Sequence, residues 1–589
     1  MKTQRQVPRA LAGAGHLVRR RPRAAVAPLF VLLALAGLLA VRQTGPGLDD
    51  RIERITLGIN IRAYAGALGL ADKPFFADLP EGQIASDIER DHGQARFYPI
   101  WPVMNALERA GRPGAASLAY YYYNYLIFLL GLFALYALLL RLCGSRAAGA
   151  LGVLLLFLNP RFFAASFYNT KDMPFMALCL VVFWLGLRFA GGQGFGSAVW
   201  FGLAGAVAAN GRLLGAAAFG LAGIFYLARL TLQKRWSARA FWRGAAAVGA
   251  FAGFWLLLTP AAWPDPLGFL ALQLGQTANF DPARYGFVVL YRGALYDPAA
   301  NPIPWHYIPW LMLITTPVLL LLLAAAWPVL LALKNGRHAA GWKSTETIFT
   351  AALGLFFALP VGYAMLRCPN LYNGWRHLYL VYATLVIFAG LSAARLCRLA
   401  AALPRCGRAA GGALAAVLAL HLCWYGGFSA YNGMNSCGYF NVLAGPHPEE
   451  RYEADYWNIG LRSVMAEMQK KDPVFSVVPA NGFTYLIKSW YFMADMLPPM
   501  AEGCGEYDWA EREKARYVIE NCSYSAISDQ RPMWDVEDPE VAEWLKQLKA
   551  EEPVYELHCG GTVLWRVWQN PQYTGPDPET RAGPPAGEG

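Results

Sequence analysis

Charge is scarce in this sequence: Asp, Glu, Lys and Arg make up only 15% of its 589 residues, against about 25% in a soluble chain. That shortage excludes an ordinary soluble protein of this length. Nucleotide fingerprints are missing as well, with no P-loop and no Rossmann glycine pattern, which is consistent with a reaction that needs no nucleotide site. The ten cysteines show no CxxC or comparable zinc spacing. No half-to-half repeat occurs, although internal duplication is common in transporters.

Apolar side chains fill the space that charge leaves. The chain is 56% hydrophobic with a mean hydropathy of +0.28. Long apolar runs recur from 24 to 429, and about 18 residues or more are what a helix needs to cross about 30 Å of hydrocarbon. The expected class is a polytopic α-helical membrane protein. The net charge of +11 does not point to nucleic acid, because the basic residues sit between apolar runs. Their clusters are Arg19, Arg20, Arg21 and Arg23; Arg141 and Arg146; Lys234, Arg235, Arg239 and Arg243; Lys334, Arg337 and Lys343; and Arg395, Arg398, Arg405 and Arg408. They fall at every second connection, as cytoplasmic loops require.

Residues 1–23 form a basic cytoplasmic leader, and the run 24–41 is read as a retained first helix rather than a cleaved signal peptide. Further crossings are expected near 119–140, 146–159, 173–190, 196–209, 213–232, 244–260, 306–333, 346–366, 377–396 and 411–429. That gives about eleven, an odd number that leaves the C-terminus outside. Two runs, 146–159 and 196–209, are short for a full crossing. The transmembrane domain is therefore 24–429, with a long first outer loop at 44–117. Inside that loop, Ile100, Val103, Met104 and Leu107 share a helical face. The helix either lies in the membrane interface or packs on the protein.

Beyond 429 the composition turns mixed. Residues 430–570 read as a small α/β domain outside the membrane, with a helix at 453–471 and strands at 474–478, 517–519, 554–557 and 562–567. Residues 571–589, rich in Pro, Gly and charge, read as a disordered tail. Cys437, Cys504, Cys522 and Cys559 fall in this domain. They permit three pairings that sequence leaves open, with Cys504–Cys522 closing the shortest loop after the first cysteine.

Polar clusters at helix ends are costly to desolvate and demand a reason. Four lie on the outer face of this topology. The first is Asp87, Glu89, Asp91 and His92, either a solvated turn or the source of a carboxylate base. The second runs from Asn159-Pro160-Arg161 to Lys171-Asp172, where Asp172 is either a helix-start residue or a partner for a cation or hydroxyl. The third is Asn210-Gly211-Arg212, a turn whose arginine either reaches the interface or holds a phosphate. The fourth is Tyr372-Asn373-Gly374-Trp375-Arg376-His377, with positive charge on the side where it is disfavoured.

In order and on a common face, these motifs resemble bacterial membrane glycosyltransferases of the GT-C superfamily, related to protein O-mannosyltransferases and the lipid A aminoarabinose transferase. The carrying residues are Ile88-Glu89-Arg90-Asp91-His92-Gly93, Asn169-Thr170-Lys171-Asp172-Met173-Pro174 and Pro304-Trp305-His306-Tyr307-Ile308-Pro309. Ile314-Thr315-Thr316-Pro317, Leu371-Tyr372-Asn373-Gly374-Trp375-Arg376-His377-Leu378-Tyr379, Tyr439-Phe440-Asn441 and Asp455-Tyr456-Trp457 complete the set. Asn373 stands where the family more often has Asp. The resemblance covers most of 24–460.

It implies a GT-C-like fold in a bacterial inner membrane, with a cytoplasmic N-terminus and a periplasmic C-terminal domain. The implied reaction moves a sugar from a polyprenyl-phosphate donor to an acceptor hydroxyl, by inverting displacement. Asp91 is then the expected base, Glu89 its substitute and Asp172 a second catalytic carboxylate. Lys171, Arg212, Tyr372, Arg376 and His377 are the expected substrate-binding residues. No cofactor and no metal are implied. The expected partners are that donor, an acceptor that is a protein, lipid or glycan, and membrane lipids. Tyr168, Trp305 and Trp375 suit sugar stacking or an interfacial belt. A transporter or flippase of lipid-linked sugar is the main alternative, and a non-catalytic assembly subunit is a third.

Overall fold

The computed structural model describes residues 26–45, 47, 49–80, 92–192, 194–278, 288–296, 301–336, 339–369, 371–472, 475–480, 505–524 and 538–575. Asp87, Glu89 and Asp91 lie outside them, as do Cys504 and the tail from 576.

Eight described helices are long and apolar enough to cross a membrane: Pro113–Cys143, Asp172–Ala190, Leu214–Leu232, Ala238–Leu258, Val318–Asn335, Thr345–Arg367, Arg376–Ala401 and a span over Gly407–Ala444. They become nine if Arg146–Phe157 and Pro160–Tyr168 count as one crossing bent by 72°. The bend sits where Asn159 caps the second helix, its side chain accepting the Phe162 N–H, with Pro160 at the first turn. The first apolar helix, Ala27–Gln43, is shorter than a full span. The run expected at 306–333 divides into Tyr307–Thr315 and Val318–Asn335, because Pro317 precedes the second helix.

For the rest, α1 is Ala27–Ala40, α2 Asp50–Ala67, α3 Trp101–Arg109, α4 Pro113–Cys143, α5 Arg146–Phe157, α6 Pro160–Tyr168, α7 Asp172–Ala190, α8 Phe195–Gly211, α9 Leu214–Leu232 and α10 Ala238–Leu258. Helix α3 buries Trp101 and Met104 and packs on α4, while Val103 stays exposed. This packing is compatible with either position expected for the helix.

Helix α7 is buried along most of its length, and its two ends differ in chemistry. Asp172 begins it. At the far end Arg229 and Arg243 donate to the carbonyls of Ala190 and Phe189, which suits the negative pole of the helix. At that side too, Gln233 donates to Lys343 O at 3.0 Å, so two of the basic connections meet away from Asp172.

Helices α8 and α10 cross closely. A Cβ on Gly202 would lie 2.7 Å from Ala247 O, 2.7 Å from Ala250 Cβ and 2.8 Å from Phe251 N. Backbone atoms cannot yield cheaply, so Gly202→Val costs about 1–3 kcal/mol through overpacking. A lower melting temperature in detergent is expected, and an unchanged one contradicts this crossing.

The C-terminal region carries a five-stranded sheet of order β4-β3-β5-β7-β6, where β3 is Ser476–Pro479, β4 Gly505–Glu506, β5 Tyr517–Asn521, β6 Tyr555–Cys559 and β7 Thr562–Gln569. β3 runs parallel to β4 and β5, while β7 is antiparallel to β5 and β6. Alternation along the strands sends Val477, Ile519 and Val567 against the helix Leu461–Lys471, and Val478, Val518 and Trp568 against Pro539–Ala550. All four expected strands are present. The helix expected from 453 begins only at Leu461. Ahead of it the Asp455 carboxylate accepts the N–H groups of Ile459 (2.9 Å) and Gly460 (2.7 Å), and Asn458 turns left-handed at φ +60°. Cys437, Cys522 and Cys559 are buried free thiols. A short hairpin that sequence did not suggest, β1 Val289–Tyr291 and β2 Ala294–Tyr296, lies against Tyr452.

Candidate functional site

At the Asp172 end of the helices, one charged cluster joins residues from five separate stretches of chain. Its centre is Asp172, 2% exposed. Its Oδ1 meets Arg212 Nη2 at 2.6 Å, and its Oδ2 meets Arg376 Nη1 at 3.4 Å. Asn169 fixes the carboxylate locally. Its Oδ1 accepts the N–H of Lys171 (3.2 Å) and of Asp172 (2.7 Å), and its Nδ2 donates to Asp172 Oδ2 at 3.1 Å. Asn124 of α4 steadies this turn from below, donating to the carbonyls of Ser166 (2.9 Å) and Asn169 (3.2 Å). The sequence Asn-x-x-Asp thus builds an Asx turn that aims Asp172 between two arginines.

Lys171 points to the other half of the cluster. Its Nζ lies 3.3 Å from Asp49 Oδ2 and 3.3 Å from Glu53 Oε1. Glu53 is fully buried; its Oε2 accepts from Gln94 Nε2 at 2.6 Å and from Arg96 Nη2 at 3.1 Å. Arg96 also donates to Thr170 O (3.1 Å) and Gly93 O (2.6 Å). Burial lowers the Arg96 pKa, and the Glu53 carboxylate opposes that shift. Such pairing is what makes a buried charge tolerable.

Asp49 and Asp50 are neighbours with different environments. Asp50 is locked, accepting from Gly47 N at 2.8 Å and from the Tyr121 hydroxyl. Burial raises its pKa to about 6, and Arg54 and the Tyr121 hydrogen bond pull it down. Asp49 has a side chain 28% exposed, between Lys171 and Arg376, whose Nη1 is 4.0 Å from its Oδ2. It is the accessible acid of the cluster.

Arg376 is 4% exposed and lies between two rings, 5.0 Å from the Tyr372 centroid and 5.4 Å from that of Trp457. Tyr372 also meets His377 edge-on at 5.0 Å. Asn373 and Gly374 both turn left-handed, at φ +57° and +71°, just before Arg376. Asn tolerates that conformation better than most side chains, so Asn373 serves the turn. Among the described residues, the buried nitrogens Arg212 Nε, Arg376 Nε and His377 Nδ1 have no hydrogen-bond partner.

The structure therefore brings together Lys171, Asp172, Arg212, Tyr372, Arg376 and His377, all expected from sequence. It leaves Asp91 and Glu89 outside the described residues. The chain just after them is held firmly: Gly93 N donates to Asn210 O (2.8 Å) and Ala95 N to Asn210 Oδ1 (2.9 Å), two residues before Arg212. Tyr168 and Trp375 are buried in packing, Trp375 donating to Thr315 Oγ1 at 2.8 Å, whereas Trp305 is 58% exposed. Sequence reasoning missed Asp49, Asp50, Glu53 and Arg96. The usable signal was two adjacent carboxylates directly after the first apolar run, with a third on the same helical face.

Together these observations define a helical protein with eight or nine candidate membrane spans and a buried charged cluster at one end of them. No protein-family model matches the chain, and no curated protein matches it.

Proposed function

We propose that this chain is a GT-C-type glycosyltransferase that moves a sugar from a polyprenyl-phosphate donor to an acceptor hydroxyl at this cluster. The observation that carries the reading is the set of partnerless buried nitrogens on Arg212, Arg376 and His377, beside the partly exposed side chain of Asp49. Guanidinium donors with spare N–H groups fit phosphate oxygens. A carboxylate within the same cluster suits removal of a hydroxyl proton.

In this reading the cluster and the C-terminal sheet face the periplasm of a bacterium and the basic connections face the cytoplasm, with Ala27–Gln43 and Phe195–Gly211 completing about eleven crossings. The acceptor oxygen attacks the anomeric carbon while the bond from that carbon to the phosphate oxygen breaks. The hydroxyl proton passes to the carboxylate of Asp49 or Asp91. The polyprenyl phosphate leaves with its charge met by Arg212, Arg376 and Lys171, and the anomeric configuration inverts.

The test offers purified protein in detergent radiolabelled polyprenyl-phosphate sugars together with cell-envelope extract. Transfer of label to extract material, lost on heating the protein, is expected. Absence of transfer from every donor, with a control transferase active in the same extract, sinks the reading. Label crossing vesicle membranes without transfer would instead support a flippase.

A further inference from the structure

The turn that presents Arg376 is held by a residue far along the chain. Glu453 Oε2 accepts the Gly374 N–H at 3.1 Å. The N–H groups of Asn373 and of Leu290 in β1 also face this carboxyl. On the other side of the same peptide, the Tyr307 hydroxyl donates to Gly374 O at 3.3 Å. Both polar atoms of Gly374 are therefore gripped, in a stretch where two successive residues are left-handed. Two residues later comes Arg376.

The segment carrying Glu453 is itself anchored. The Asp455 carboxylate takes Ile459 N, Gly460 N and, at 2.9 Å, Trp565 Nε1 of β7. Ser523 Oγ accepts the N–H of Ala454 (2.9 Å) and of Asp455 (2.8 Å). Trp457, from the same segment, covers the Arg376 guanidinium. The C-terminal sheet is thus bolted to a strap that touches the arginine at both its backbone turn and its side chain.

We propose that Glu453 is a positioning residue for Arg376, fixing the Asn373–Gly374 turn so that the guanidinium is presented to an anion. The role rests on the anion-binding reading of the cluster. Glu453 touches no reacting atom; it acts through the turn. The charged and titratable groups facing it are Arg376 and, from the helix Tyr307–Thr315, Tyr307. Burial raises its pKa from 4.5 to about 8, and the facing N–H groups and Arg376 oppose that rise. Ionised, the carboxylate accepts the Gly374 N–H with full negative charge; protonated, it is a weaker acceptor and one of its oxygens becomes a donor. The grip on the turn therefore tightens as pH rises through about 8.

The stability effect has the opposite sign. The folded state keeps a proton that the unfolded chain releases above about 4.5, so stability falls between about 4.5 and 8 and then levels.

The experiment compares the full-length protein in detergent with Glu453→Gln in two arms. In the first, melting temperature is followed from about pH 5 to 9, and no substrate is needed. Wild type is expected to lose stability toward pH 8, and the variant to lose clearly less. In the second, inorganic phosphate is titrated as a melting protectant at pH 7 and 9. Wild-type protection is expected to strengthen at pH 9, where the variant needs roughly tenfold more phosphate than wild type, about 1.4 kcal/mol, whereas at pH 7, with Glu453 still largely protonated, the two differ much less. Identical melting slopes, or identical phosphate protection at pH 9, in the two proteins overturn the proposal. Absence of phosphate protection in wild type overturns it as well. A wild type that shows both effects yet transfers no sugar sinks the transferase reading and leaves the Glu453 role standing. Should Glu453→Gln not accumulate, Gly374→Ala strains the same turn at φ +71° while its Cβ meets only Tyr456 Cε1 at 3.8 Å. That variant must also lose phosphate protection, and wild-type protection in it overturns the proposal.

Discussion

Asp49→Asn is expected to lower sugar transfer by about three orders of magnitude while the protein still folds and inserts, because a positioned general base contributes about 10²–10⁴-fold. The argument is one of access. Asp172 and Glu53 are 2% and 0% exposed and fully engaged with cations. Asp50 is tied to Gly47 and Tyr121. Asp49 alone among these four has a partly exposed side chain, 28%, while its Oδ2 is buried 3.3 Å from Lys171 and 4.0 Å from Arg376. A phosphate held by Arg376 would place its sugar on that accessible side. Asparagine keeps the shape and loses the proton acceptor. Initial rates with the radiolabelled donor measure the effect, with Asp91→Asn assayed beside it. A near-wild-type Asp49→Asn together with an inactive Asp91→Asn assigns the base to Asp91, and full activity in both removes the carboxylate mechanism.

Much of this site was legible as chemistry and little of it as contact. Lys171, Asp172, Arg212, Arg376 and His377 stood out because charge at a helix end is expensive. Yet Arg376 and Asp172 are 204 residues apart, and no local pattern pairs them. The expected base lies among 87–92, where carboxylates are dense. Lys171 instead meets Asp49 and Glu53 on α2, a helix whose mixed polarity gave no span signal. Fold was easier to read where composition is extreme. The apolar runs marked the eight or nine helices that are long enough to cross a membrane, fewer than the eleven expected, and Asn159-Pro160 marked the break between α5 and α6 through its own capping chemistry. The late start of the helix at Leu461 was hidden, since Asp455 competes for the backbone N–H groups only once β7 brings Trp565 beside it. Local propensity favoured a helix there and tertiary hydrogen bonds overrode it.

On the proposed transferase reading, the buried charges of the cluster acquire a purpose. Arg96, Lys171, Arg212 and Arg376 oppose Asp49, Glu53 and Asp172, so the pairs nearly neutralise one another. A pair of apolar residues would be as stable or more so. What apolar residues cannot do is meet a phosphate that carries charge in one state and more charge in the next. The incomplete pairing at Arg212 and Arg376, where each Nε lacks a partner, is where such a ligand gains most.

Arg376→Lys tests that last point, since it keeps the charge and changes its shape. The guanidinium sits between Tyr372 and Trp457 and reaches Asp172 through Nη1 while Nε is unused. A planar fork can do all of this at once, holding Asp172 with one nitrogen and a phosphate oxygen with others. A lysine ammonium is a point charge, stacks poorly and cannot divide its donors along a plane. The expected result is a fall of about 10²-fold in kcat/KM for the donor, about 2.7 kcal/mol, with the melting temperature changed far less than by Arg376→Ala. Alanine would leave Asp172 with Arg212 as its one arginine partner and open the space between the two rings. Activity of the lysine variant within twofold of wild type would show that only the charge at this position matters, and the forked contact to a leaving phosphate would then be wrong.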